Sequence, residues 1–216
     1  PLIQHSDIIP VIDVFATRFA NGDKIYKEFT EIGYNVIATY LPAQWLPFVF
    51  PKIIDFDYRW MAFIVLILSF LYYQYRLVKQ NLNFVELLIK ASLPFIVLFF
   101  LIKYMQPEMG WTIENLIAGY YIILGLSIFS TSNLIRASAL ILCLLSRYSL
   151  LFWVPMYILF IFLFDNKKDA IKISLYTFIG ILFIFIIPYL SKNWGLISYT
   201  QKMYTEAAIG EWDGQS

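Results

Sequence analysis

The chain has 216 residues, of which 60% are apolar, 19% aromatic and 14% charged, against about 25% charged in an ordinary soluble domain. That composition excludes a soluble globular enzyme, which could not hide so much apolar surface, and a disordered chain, which is poor in aromatics and rich in charge. Sixteen Lys and Arg against fifteen Asp and Glu leave a net charge of +1, so there is no basic field to attract a nucleic acid.

In chain order, the first pattern is amphipathic. Ile8, Ile12, Phe15, Ala16 and Phe19 recur at helical spacing and predict a helix over about 7–20 lying on a membrane surface. Ser6 or Asp7 is the expected N-cap, and Asn21-Gly22-Asp23 the end. Residues 35–54 then hold Pro42, Pro47 and Pro51 among Tyr40, Trp45, Phe48 and Phe50. Prolines so spaced disfavour a regular helix and the aromatics suit a membrane interface, so this stretch reads as interfacial or re-entrant. Apolar runs near the roughly 20 residues of a membrane span follow at 60–77, 87–105, 113–130 and 173–190. Between the last two lies Leu134–Phe164, interrupted by Arg147. It is long for one span and short for two. It reads as two short helices, 134–146 and 149–164, hinged near Arg147, with a single tilted helix as the alternative.

Loop charges orient the spans. The connections 76–90, 130–136 and 165–172 carry the basic residues, whereas 106–112 has none. The bias of Lys and Arg to the cytoplasmic side puts the first three inside and 106–112 outside, and the parity closes only if 134–164 crosses twice. The expected architecture is all-α: an external loop with a surface helix (1–57), a polytopic bundle of about six transmembrane helices (58–190) and the start of another external loop (191–216). A first residue that is Pro rather than Met, with polar stretches at both ends, reads as a piece of a longer membrane protein.

Several residues carry candidate chemistry on the external side. Asp7 has two readings, a general base that deprotonates a substrate hydroxyl and a helix cap. Arg147 interrupts an apolar run, and an intramembrane charge is by default a functional residue. Its guanidinium suits bidentate phosphate binding, and headgroup snorkelling is its other reading. Asp13, Tyr40, Glu114, Asn115 and Tyr148 are further candidate substrate contacts. Asp13 also reads as a solvated charge, and Glu114 and Asn115 as a helix cap. Tyr72, Tyr73 and Tyr75 read as an aromatic belt. One His and one Cys speak against a zinc site of His and Cys ligands. No nucleotide-binding or hydrolase motif is present.

Taken together, Ser6-Asp7, Ala16, Asn21-Gly22, Tyr26 and Tyr40-Leu41-Pro42 resemble the first external loop of GT-C glycosyltransferases. There an acidic residue, a surface helix, a Gly-x-x-x-Tyr-like turn and a Tyr-Pro-Pro-like lead-in follow one another. The stretch from Glu114-Asn115 through Arg136, Leu144-Leu145-Ser146-Arg147 and Trp153-Val154-Pro155 to Lys167-Lys168 is similar to members that use polyprenol-phosphate sugars, including mannosyltransferase-like ones. The resemblance covers 1–57 and 113–172. Two departures stand out: Leu41 replaces the first Pro, and Ser6 stands where many relatives have a second acid.

The resemblance implies transfer of a hexose from a polyprenyl-phosphate donor to a glycan or glycolipid acceptor at the outer face of the membrane, and the Ile-, Phe-, Lys- and Asn-rich composition fits a bacterial inner membrane. Asp7 would be the catalytic base and Arg147 the donor-phosphate ligand. No cofactor is firmly implied, and the missing second acid leaves a divalent metal without support. The alternatives are a polytopic transporter or flippase, an O-antigen polymerase or ligase, and a structural membrane subunit.

Overall fold

The computed structural model describes residues 8–27, 40–57, 59–104 and 112–195, with 198, 199, 202, 205 and 206. Among them the chain is helical throughout and contains no strand. The helices are α1 (Ile8–Ala20), α2 (Pro42–Trp45), α3 (Val49–Ile53), α4 (Arg59–Val78), α5 (Phe84–Tyr104), α6 (Glu114–Ser127), α7 (Asn133–Leu144), α8 (Val154–Phe164) and α9 (Lys167–Ile181). The last continues as a π-helical turn to Ile186.

Three helices are long and apolar enough to cross a membrane: Trp60–Val78, Phe84–Tyr104 and Lys167–Ile186. The first corresponds to the expected 60–77 span. The other two begin earlier than expected, because Asn83 and Asn166 stand at their starts. Asn83 Oδ1 accepts the Glu86 N–H at 2.8 Å, and Asn166 Oδ1 accepts the Lys168 N–H at 2.9 Å. The expected span 113–130 is a helix of 14 residues, about 21 Å long and short of a hydrocarbon core of about 30 Å. The turn at 106–111 lies outside the described residues, as do 35–39 and most of 191–216.

Helix α6 is the centre of the assembly. It packs parallel to α4, where a Cβ on Gly119 would stand 3.0 Å from Val65 Cγ1 and 3.1 Å from the Val65 carbonyl oxygen. Any side chain there would force Val65 to give by a few tenths of an ångström; a small residue at such a contact is the device by which helices pack closely without a hydrophobic drive between them. Helix α5 returns antiparallel to α4 and contains Pro94, which removes the N–H that would bond the Lys90 carbonyl. Tyr73 donates its hydroxyl to that carbonyl at 3.1 Å, and Gln74 donates its amide to the Ala91 carbonyl at 2.8 Å. Tyr73 is therefore an interhelical donor rather than a belt residue. Without water nearby, an unmet carbonyl costs several kcal/mol.

One end of the assembly is tied by cations. Arg136 is buried. It donates from Nη2 to the Ile128 carbonyl at 2.8 Å and from Nε to the Ser127 carbonyl at 3.4 Å, and it pairs through Nη1 with Asp165 at 2.6 Å. Arg76 donates to the Phe129 carbonyl at 2.6 Å. The basic residues that oriented the loops thus also satisfy the C-terminal carbonyls of α6, where cations favour the helix dipole. Replacing Arg136 with Met is expected to destabilise the protein by about 3 kcal/mol, since it strands Asp165 and two carbonyls. Thermal unfolding in detergent measures this, and Asp165→Asn is expected to cost less, because Asp165 is partly exposed. A melting temperature unmoved by Arg136→Met would show that the clamp holds nothing.

Helix α1 ends as its sequence suggests. Gly22 takes a left-handed φ of 73°, and the Asp23 N–H reaches back to the Arg18 carbonyl at 2.8 Å, a glycine-terminated helix end. The destination of its apolar face differs from expectation. Ile9, Ile12, Phe15 and Ala16 are buried against the proline-rich segment, and Phe15 stacks on Trp45 with ring centroids 5.6 Å apart. Trp45 itself is fully buried, so it is a core residue and not an interfacial anchor. The prolines do not break one helix here; they divide the segment into short ones. Pro42 opens α2, Pro47 is the second residue of a 3-10 turn over Leu46–Phe48, and Pro51 falls within α3.

Candidate functional site

The site forms where α7 stops. Helix α7 ends at Leu144, and Arg147 adopts an extended backbone (φ −146°, ψ 130°) before a 3-10 turn over Tyr148–Trp153. Non-helical backbone in an apolar sequence must find partners inside the protein, and it does. The Leu145 carbonyl accepts the Ala43 N–H at 2.9 Å, and the Ser146 and Arg147 N–H groups both return to the Cys143 carbonyl at 3.0 and 3.2 Å. Ser146, fully buried, adds its hydroxyl to the same carbonyl at 2.7 Å. Tyr120 of α6 donates to the Ala43 carbonyl at 3.0 Å. The hinge and the proline-rich segment are thereby held as one unit.

A second network braces the wall beyond it. Tyr26 donates to the Tyr40 carbonyl at 2.8 Å and accepts from Trp45 Nε1 at 3.3 Å. Burial pushes the Tyr26 hydroxyl well above the ordinary tyrosine range, so it stays protonated as the donor. Arg18 is buried and donates to the carbonyls of Ile25 and Lys27 at 3.0 and 3.1 Å. It shapes the turn that carries Tyr26.

Around the hinge lies a cavity of about 400 Å³. It is lined by Ile8, Tyr40, Leu41, Gln44, Ile113, Glu114, Ser146, Arg147, Tyr148 and Ser149. Four candidate residues, Tyr40, Glu114, Arg147 and Tyr148, therefore share one space. Arg147 Nη2 donates to Glu114 Oε1, and both side chains are about half exposed. Asn115 is buried at the start of α6 and is not part of the lining. Asp13 lies elsewhere, paired with Lys52 at 2.7 Å. Asp7 lies outside the described residues; its chain neighbour Ile8 lines the cavity. Gln44, Ser146 and Ser149 are lining residues that sequence reasoning missed. Gln44 had one local signal: Pro42 begins a helix, and a Gln at its third position can accept the preceding N–H, as Gln44 Oε1 does from Leu41 at 3.2 Å.

An apolar groove of about 500 Å³ adjoins the polar cavity, and Ser149 lines both. Its lining is Tyr121, Leu124 and Gly125 on α6, Ile128 at its C-terminal end, Leu140 on α7, and Leu150, Trp153, Met156, Tyr157 and Phe160 after the hinge. Residues 149–160 rise about 18 Å, at about 2.0 Å per residue in the 3-10 turn and 1.5 Å in α8. The arrangement offers a cation and hydroxyls at one end and a long apolar trough behind them. Among the described residues no three His, Cys, Asp or Glu side chains come together as a metal site.

No protein-family model matches this chain, and neither a curated protein nor a solved structure is found to be similar to it.

Proposed function

We propose that this chain belongs to a polytopic membrane glycosyltransferase of GT-C type, which moves a hexose from a polyprenyl-phosphate donor to a glycan or glycolipid acceptor. The observation that carries the reading is the junction at Ser149 of a polar cavity holding Arg147 with an apolar groove. An amphiphile with an anionic head and a long tail matches that pair of surfaces. The three long apolar helices agree with a bilayer setting, in which such a donor enters from the side, and the external face of a bacterial inner membrane is the proposed location.

In the proposed reaction an acceptor hydroxyl attacks the anomeric carbon, and the bond from that carbon to the phosphate oxygen breaks. Asp7 takes the hydroxyl proton, the configuration inverts, and the lipid phosphate departs. Arg147 stabilises the charge that develops on it. Tyr40 and Tyr148 stand on the cavity walls where the sugar would lie.

The groove gives a direct test. Beyond its own helix backbone, nothing lies within 4 Å of where a Cβ on Gly125 would stand, and Gly125 lines the trough, so a larger side chain there takes up trough space. Gly125→Phe is expected to raise the apparent KM for a long polyprenyl-phosphate hexose roughly tenfold, the equivalent of about 55 Å² of lost apolar contact. A geranyl-phosphate hexose should be less affected. Transfer is measured in proteoliposomes with a membrane-extract acceptor. Equal effects on both donors, or no release of lipid phosphate by the unaltered protein, would contradict the proposal.

A further inference from the structure

The cavity holds its own anion. Among the described residues, Arg147 and Glu114 are the charged side chains that line it, and they are paired with each other. Glu114 is the first residue of α6, where the helix dipole favours a carboxylate with or without a partner. It therefore has a stable place to stay when the pair parts. Pairs as exposed as this one hold weakly, so a ligand anion can displace it.

We infer that Glu114 is an internal counter-ion that occupies the phosphate's position on Arg147 and selects ligands by charge. This rests on the reading of Arg147 as the phosphate contact. A singly charged phosphodiester, such as a lipid-phosphate sugar, takes the guanidinium and leaves Glu114 close by. A phosphomonoester or diphosphate brings a further negative charge against that carboxylate and is repelled. The free lipid phosphate formed by transfer is a monoester, so the same residue favours the diester donor over the spent carrier and speeds its release.

Two probes separate these charges: farnesyl phosphate, a monoester, and its methyl ester, a diester. Each is titrated against the protein in nanodiscs by calorimetry, with and without Glu114→Gln. The variant should bind the diester about threefold more tightly, which is the scale of a half-exposed ion pair, and the monoester about tenfold or more. Glu114→Ala should do the same, and Glu114→Asp should keep the preference for the diester. Wild-type protein that binds both probes while Glu114→Gln binds them equally well or more weakly would overturn the inference and leave the Arg147 reading standing. Wild-type and Glu114→Gln proteins that both fail to bind either probe would overturn the two together. Thermal unfolding of each variant establishes that it is folded.

Discussion

Asp7→Asn is expected to lower hexose transfer by roughly 10² to 10⁴, the usual contribution of a positioned base, with lipid-phosphate binding unchanged. The residue after it, Ile8, lines the cavity that contains Arg147. Helix α1 is anchored there by the stack of Phe15 on Trp45 and by the Asp13–Lys52 pair. Asp13 is paired with Lys52 and does not line the cavity, so it is not a rival for the role, and Asp13→Asn should leave turnover nearly intact. The comparison of kcat for the two variants, with donor binding measured in parallel, checks the assignment. A fully active Asp7→Asn protein would remove Asp7 from the chemistry and return it to a capping role.

The parts of this protein legible in its sequence are those governed by local spacing. The apolar positions of α1 and the Asn21-Gly22-Asp23 stop define that helix to within a residue, because helical periodicity and a left-handed glycine are short-range effects. The interruption at Arg147 likewise marks the point where α7 ends. Periodicity says that a face is buried, but not against what. The face of α1 packs on Trp45 and its neighbours, not on a membrane surface. The same limit applies to long side chains. Arg18, Tyr73 and Arg136 are buried donors to carbonyls, and for Tyr73 and Gln74 the partners sit seventeen residues away. Composition counts such residues as loop charge or belt aromatics, since only the tertiary fold brings the carbonyls to them. The 14-residue length of α6 was hidden in a run of apolar sequence extending beyond both of its ends. The groove is equally hidden, because its lining comes from α6, from α7 and from the segment after the hinge.

Candidate site residues divide in the same way. Glu114 and Arg147 lie 33 residues apart and meet because α6 and α7 form an antiparallel pair whose ends open on one cavity. Tyr40 joins them through the Ala43–Leu145 backbone bond, which no pattern of residue types announces. Asp13, a candidate contact that also reads as a solvated charge, pairs with Lys52 and stays outside the cavity lining.

Arg147 decides whether the cavity is a phosphate site. Loss of its guanidinium is expected to reduce transfer by about 10² to 10³, as for removal of one preorganised donor to developing charge. Lipid-phosphate binding should weaken by about tenfold or more, the scale of a lost charge-assisted hydrogen bond. Stability should barely change, because the pair with Glu114 is half exposed and such pairs contribute about 0–1 kcal/mol. Arg147→Lys should fall between, keeping the charge but losing the bidentate fork. The measurement to make is a titration of the wild-type and Arg147→Ala proteins, reconstituted in nanodiscs, with the methyl ester of a polyprenyl phosphate, a singly charged diester that carries no sugar. Tight binding by the wild type and at least tenfold weaker binding by a folded Arg147→Ala protein is the predicted result. Equal binding by the two would contradict a phosphate site at this hinge.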